Sequence, residues 1–133
     1  MEVQPDFRYL LELFNKHKVD YLIVGAYALA LHGVPRYTGD LDILINPTEK
    51  NAGRILKALV EFGFESAGLT ERDFVTPDKV IQLGMPPVRI NILTSLTGIA
   101  WDDAYRDRVK RENSGIWMSL IWDASRLLLT KRH

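Results

Sequence analysis

Asp40 and Asp42 are separated by one residue in Gly39-Asp40-Leu41-Asp42-Ile43-Leu44-Ile45. On an extended chain alternate side chains share a face, so the two carboxylates project together about 7 Å apart. Leu41, Ile43 and Ile45 then project to the opposite side and can bury it. Two neighbouring carboxylates repel, more so once desolvated, and a divalent cation removes the conflict. Mg2+ is small and hard, and is usually held by one or two carboxylates together with substrate phosphates. The pattern therefore reads as half of a metal–nucleotide site. It reads equally as the solvent face of an edge strand, where aspartate needs no ligand.

Residues upstream bear on the choice. Gly25 closes the apolar run Tyr21-Leu22-Ile23-Val24 and precedes a stretch of helix formers, residues 26–32. Backbone N–H groups at a strand-to-helix turn attract phosphate, and glycine lets it approach closely. An ordinary turn glycine would look the same. Arg36 stands four residues before Asp40, and its planar guanidinium suits a pair of phosphate oxygens as well as it suits open solvent. The order strand, glycine, short helix, glycine, Arg-x-Thr-x-Asp-x-Asp is more specific than any of its parts.

The surrounding elements follow from periodicity. Phe7, Leu10, Leu11 and Phe14 mark an amphipathic helix, with Pro5 and Asp6 in its first turn. Residues 21–25 and 41–45 read as buried strands. Thr48 can cap a helix whose apolar face is Ala52, Ile55, Leu56 and Leu59, with Gly63 as its stop. Residues 64–78 carry no clear pattern. Residues 80–83 and 88–93 suggest a hairpin joined through Gly84-Met85-Pro86-Pro87. Trp101 to Val109 reads as a helix, residues 116–120 as a weak strand, and Asp123 as the cap of a last helix. Four to six short strands and four or five helices in mixed order imply an α+β or α/β layered architecture.

The segment VGAYALALHGVPRYTGDLDILI resembles the core of the polymerase-β-type nucleotidyltransferase superfamily, and is most similar to its small AbiEii-like and minimal nucleotidyltransferase branches. The stretch IQLGMPPVRINILTSLTGIAWDDAYRDRV is similar to one such branch. The resemblance spans residues 20–131 and implies a mixed, twisted sheet with helices packed against one face. It also implies transfer of a nucleoside monophosphate from an NTP, with ATP the expected one, to an acceptor hydroxyl. Asp40 and Asp42 match the acids that hold Mg2+ (or Mn2+). Gly25 and Ala26 match the phosphate-binding turn, and Arg36 and Thr38 match the residues that precede the acids. Asn91 stands where the third acid belongs, and alternation along residues 88–93 puts it on the face of Arg89 and Leu93. An amide can ligate weakly but cannot take a proton at neutral pH. The loss of a general base is worth about 10²–10⁴ in rate. The resemblance thus leaves two readings: an impaired nucleotidyltransferase, or a degenerate protein that binds nucleotide or a partner. Asp73 and Asp78 are the alternative acids. Related small members pair as antitoxins with toxins, which makes a protein acceptor or toxin partner an expectation of the same kind.

Composition bounds these readings. The chain has 133 residues, with 17 basic and 17 acidic side chains and no cysteine. That length suggests a single domain, residues 1–133. A net charge of zero offers no support for a general nucleic-acid coat. The absence of cysteine excludes disulfides and thiolate chemistry. No apolar run reaches the length of a membrane span and the N-terminus has no signal-like core, so a cytoplasmic protein is expected. His17, His32 and His133 show no ligand spacing, and the serines have no base at useful spacing.

Overall fold

A computed structural model describes residues 5–25, 40–64, 68–85, 88–96 and 98–110, together with Trp117 and Met118. Its elements are α1 (Pro5–Lys16), β1 (Tyr21–Val24), β2 (Asp40–Ile45), α2 (Glu49–Phe62), a 3-10 turn (Glu71–Phe74), β3 (Val80–Met85), β4 (Val88–Leu93), α3 (Trp101–Arg106), β5 (Val109–Lys110) and β6 (Trp117–Met118). The strands form one mixed sheet in the order β3-β4-β2-β1-β6-β5. β2 runs antiparallel to β1 and parallel to β4, and β4 runs antiparallel to β3.

Pairing aligns the side chains into rows across the sheet. One face carries Ile23, Ile43, Ile92 and Ile81 in register, and none of the four is more than 6% exposed. These isoleucines pack with Phe7, Leu10, Leu11 and Phe14 of α1 and Ile55 and Leu59 of α2. The two long helices thus cover one face, as the amphipathic spacing requires. A second, smaller cluster lies on the other face, where Leu22, Leu44 and Leu93 meet Ala104 of α3, with Trp101 and Tyr105 packed against it.

α3 is shorter than its sequence pattern suggests. It ends at Arg106, and Arg108 turns back so that its backbone N–H and its guanidinium both donate to the Tyr105 carbonyl. Val109, the β-branched residue counted as helical above, instead pairs with Met118 at the sheet edge. The helix proposed from Asp123 lies outside the described residues.

Both long helices end in the same way. After α2, Gly63 has φ 113°, its N–H bonds the Val60 carbonyl, and the N–H of Phe64 bonds the Leu59 carbonyl. After α1, the N–H of Lys18 bonds the Asn15 carbonyl and that of Val19 the Phe14 carbonyl. These are paired Schellman bonds, with buried Val19 and Phe14 supplying the usual apolar contact. The difference is that Lys18, at φ 58°, holds a left-handed position with a side chain. We expect Lys18→Gly to stabilise the protein by about 0.5–1 kcal/mol, because it removes the Cβ strain and keeps every backbone bond. A thermal melt would register this as a rise of roughly 2–4 °C.

The stretch without clear periodicity is organised by Asp73. Its carboxylate accepts from the Thr70 N–H at 2.8 Å and pairs with the Lys79 ammonium. The Lys79 hydrogen bond, followed by the Thr70 N–H, holds the Asp73 carboxyl below the usual aspartate range. A carboxyl with a lowered folded pKa adds stability that is complete above its unfolded pKa of about 3.9 and is lost as pH falls through the lowered folded value. Urea midpoints followed from pH 6 downwards should therefore drop below about pH 4, and drop less in Asp73→Asn, which starts from a lower midpoint at pH 6.

Candidate functional site

The face opposite the isoleucines changes character along the strands. Its inner row, Leu22–Leu44–Leu93–Val80, is apolar and lies in the cluster with α3. The next row is Val24–Asp42–Asn91–Gln82, and the row beyond it holds Asp40, Arg89 and Gly84. Alternation on β2 therefore places Asp40 and Asp42 on one face, over a strand whose Leu41, Ile43 and Ile45 are fully buried on the other. Asp42 is 1% exposed and Asn91 2%. Asp40 is half-buried.

A buried carboxylate needs hydrogen-bond donors, and part of the answer is Asn91. Its Nδ2 donates to Asp42 Oδ1 at 2.9 Å, and its Oδ1 accepts from Gln82 Nε2 at 3.1 Å. Three adjacent strands thus contribute one link each to a chain, Gln82 to Asn91 to Asp42. Asn91 does face the two acids, but in this orientation it offers them a donor.

Gly25 follows directly on the Val24–Asp42 pair and has φ 76°. That left-handed backbone is open to glycine and strained for residues with a Cβ. The glycine corner and the buried acid therefore occupy neighbouring positions at one end of β1 and β2. Ala26, Arg36 and Thr38 lie outside the described residues.

The alternative acids are at the other end of the sheet. Asp78 precedes β3 on the side of the apolar row, four residues from Gln82, which is about 13 Å along a strand. Its carboxylate accepts from the Ser95 hydroxyl at 2.8 Å, and Asp73 is engaged with Thr70 and Lys79. Neither lies on the row of Asp42 and Asn91. Among the described residues no three His, Cys, Asp or Glu side chains gather into a metal-sized group. Asp40 and Asp42 are two hard oxygen donors, a number that would fit one Mg2+ if phosphate oxygens and water completed its shell.

Two residues of the site face were not singled out from the sequence as participants. Gln82 had a signal, being the polar member of Val80-Ile81-Gln82-Leu83. Arg89 had one too, as the charged residue two before Asn91 in Val88-Arg89-Ile90-Asn91; the structure pairs it in register with Asp40 and half-buries it.

No protein-family profile matches the chain, and no curated protein matches it in sequence. Among solved structures it is similar to one titled "putative nucleotidyltransferase" from Thermotoga maritima, at 18% identity and a TM-score of 0.56, covering 98% of this chain and 86% of that one. No helix among the described residues is long and apolar enough to cross a membrane. The mixed sheet, its covering helices and this structural likeness together give the chain a nucleotidyltransferase-like fold.

Proposed function

We propose that this single domain binds a Mg2+–nucleoside triphosphate, with ATP as the expected nucleotide, at Asp40 and Asp42, and transfers its nucleoside monophosphate to an acceptor hydroxyl at a reduced rate. The observation that carries this reading is the placement of two carboxylates on one face of β2, beside the left-handed corner at Gly25. Asp40 and Asp42 hold the cation, which when bound neutralises triphosphate oxygens and polarises the phosphorus under attack. Gly25 lets a phosphate approach backbone N–H groups without a Cβ in the way. Arg36, Thr38 and Ala26 are assigned to the same triphosphate through their place in the motif. In the transfer the acceptor oxygen bonds to the α-phosphorus, the bond to pyrophosphate breaks, and the acceptor proton leaves. Position 91 cannot receive that proton, because a neutral amide is not a base at neutral pH. The proton goes to water, and the reaction forgoes the assistance a third carboxylate gives.

A second reading has a specific observation in its favour. Asn91 gives buried Asp42 a hydrogen-bond donor that a third carboxylate could not, as a nucleotide- or partner-binding protein that has lost catalysis would allow. An antitoxin-like role, with a toxin as partner or acceptor, belongs to either reading.

The test uses the full chain. Calorimetry with Mg2+–ATP should give saturable binding, and Asp42→Ala should weaken it more than about tenfold, because removing a first-line ligand forfeits both charge and coordination. Incubation with α-labelled NTPs should yield pyrophosphate and a labelled acceptor if transfer survives. Binding without label incorporation decides for the second reading, and silence toward every Mg2+–NTP rejects transfer and nucleotide binding alike and leaves partner binding alone.

A further inference from the structure

The Gln82–Asn91–Asp42 chain has a polarity that chemistry dictates. An ionised carboxylate only accepts, so the Asn91 nitrogen must face Asp42, its oxygen must face Gln82, and Gln82 must present its nitrogen. Both intermediate groups are primary amides, and a primary amide turned by 180° exchanges donor for acceptor. Asn91 is buried, while Gln82 at the outer end is exposed. Gln82 can therefore turn over with water satisfying whichever end it leaves, and it can serve Asn91 as donor or as acceptor.

We propose that Gln82 is a positioning residue in a reversible amide relay. Without a cation, Asn91 presents its nitrogen to Asp42; with one, both amides reverse, Asn91 offers its oxygen as an additional ligand, and Gln82 accepts from the Asn91 nitrogen. The inference rests on the reading that Asp40 and Asp42 take a divalent cation. It gives position 91 a role that neither an aspartate nor an apolar residue could fill, because an amide can donate to Asp42 in one state and offer its oxygen to a metal in the other. It also explains why the partner at position 82 is itself an amide: a donor-only or acceptor-only side chain would support one orientation alone.

The experiment replaces Gln82 by an acceptor, Gln82→Glu, and by a donor, Gln82→Lys, each in the wild-type chain and in an Asn91→Ala background. Mn2+ is the probe, with affinity read by water-proton relaxation with and without ATP, and melting temperature is read in EDTA. Gln82→Glu should bind Mn2+ about tenfold more tightly than the wild type, and Gln82→Lys about tenfold more weakly, the scale on which partners of metal ligands act. Each substitution also changes charge near the site. The Asn91→Ala background measures that direct effect, and there the differences should shrink below about threefold. In EDTA, Gln82→Glu should melt roughly 3–5 °C below Gln82→Lys, a gap that closes once Asp42→Asn removes the obligatory acceptor.

Equal affinity ratios with and without Asn91 would overturn the relay and leave the nucleotide reading standing. An EDTA melting gap that persists in Asp42→Asn would overturn it as well. Failure of the wild-type chain to bind Mn2+ even with ATP would instead remove the reading on which the relay rests, and the relay with it.

Discussion

Asn91→Asp should make the stability of the fold depend on a divalent cation. The Asn91 nitrogen lies 2.9 Å from Asp42 Oδ1, and both side chains are at most 2% exposed. The substitution is nearly isosteric, so the new carboxylate would meet the old one at hydrogen-bond distance with no proton between them. Like charges that close and that buried cannot both remain ionised cheaply. The loss of the donor also leaves Asp42 one bond short. In EDTA near pH 8 the variant should lose about 2–4 kcal/mol of stability, or roughly 10 °C in melting temperature. Adding Mg2+ or Mn2+ should restore most of it, because a cation that binds the folded state alone stabilises by mass action. The wild type, whose Asp42 accepts from the Asn91 amide, should respond far less to the same addition without nucleotide. The variant also regains a group that can receive the acceptor proton, so label transfer should rise by about 10²–10⁴ over the wild type. A variant as stable as the wild type in EDTA and indifferent to Mn2+ would show that position 91 does not share an electrostatic site with Asp42.

Some of this arrangement was legible because strand alternation needs no long-range information. Asp40 and Asp42 against Leu41 and Ile43 is a period-two pattern that Ile45 continues on the buried face, and β2 occupies residues 40–45. The cap of α2 was equally local: the Thr48 side chain accepts from the Asn51 N–H at 3.2 Å, and Gly63 takes the left-handed position that stops the helix. What could not be read locally depends on register. A hairpin connection at Gly84–Pro87 closes the ladder at Leu83 and Val88, and would set Gln82 opposite Arg89. The strand instead runs on to Met85, which pairs with Val88, and this sets Gln82 opposite Asn91. Two residues of strand length thus decide which side chain meets the candidate site. The turn after α1 was hidden for a different reason. Its left-handed residue is a lysine, so the glycine signal used for α2 was absent, although the same two backbone bonds form.

The other large effect is expected far from the acids, at a residue whose helical stripe shows its burial. Asn51 stands four and seven residues before Ile55 and Ala58, all on one face of α2, and all three are buried. Its Oδ1 accepts from the Asp20 N–H at 2.7 Å. Its Nδ2 donates to the Asp20 carbonyl at 3.0 Å and to the Asn46 carbonyl at 2.9 Å. Asp20 enters β1 and Asn46 leaves β2, whose first pair is Tyr21–Ile45. One side chain therefore bonds three backbone groups where the chain enters β1 and leaves β2, and ties that end of the strand pair to the helix. Asn51→Ala would leave the Asp20 N–H and the Asn46 carbonyl without this partner, and the Asp20 carbonyl with the Asn46 N–H alone. We expect a loss of about 3 kcal/mol, or roughly 10 °C in melting temperature. The damage should remain structural. Asp42 pairs with Val24 at the opposite end of the same ladder, so below its melting point Asn51→Ala should bind Mg2+–ATP within about twofold of the wild type, the additivity expected of distant sites. Asn91→Asp and Asn51→Ala would then separate the two things the sheet does: EDTA and Mn2+ would change the stability of the first variant and leave that of the second where it was. A metal-dependent melting temperature in Asn51→Ala would mean that the two ends of the β1–β2 pair are coupled, and that the candidate site is not held independently of the clamp beneath it.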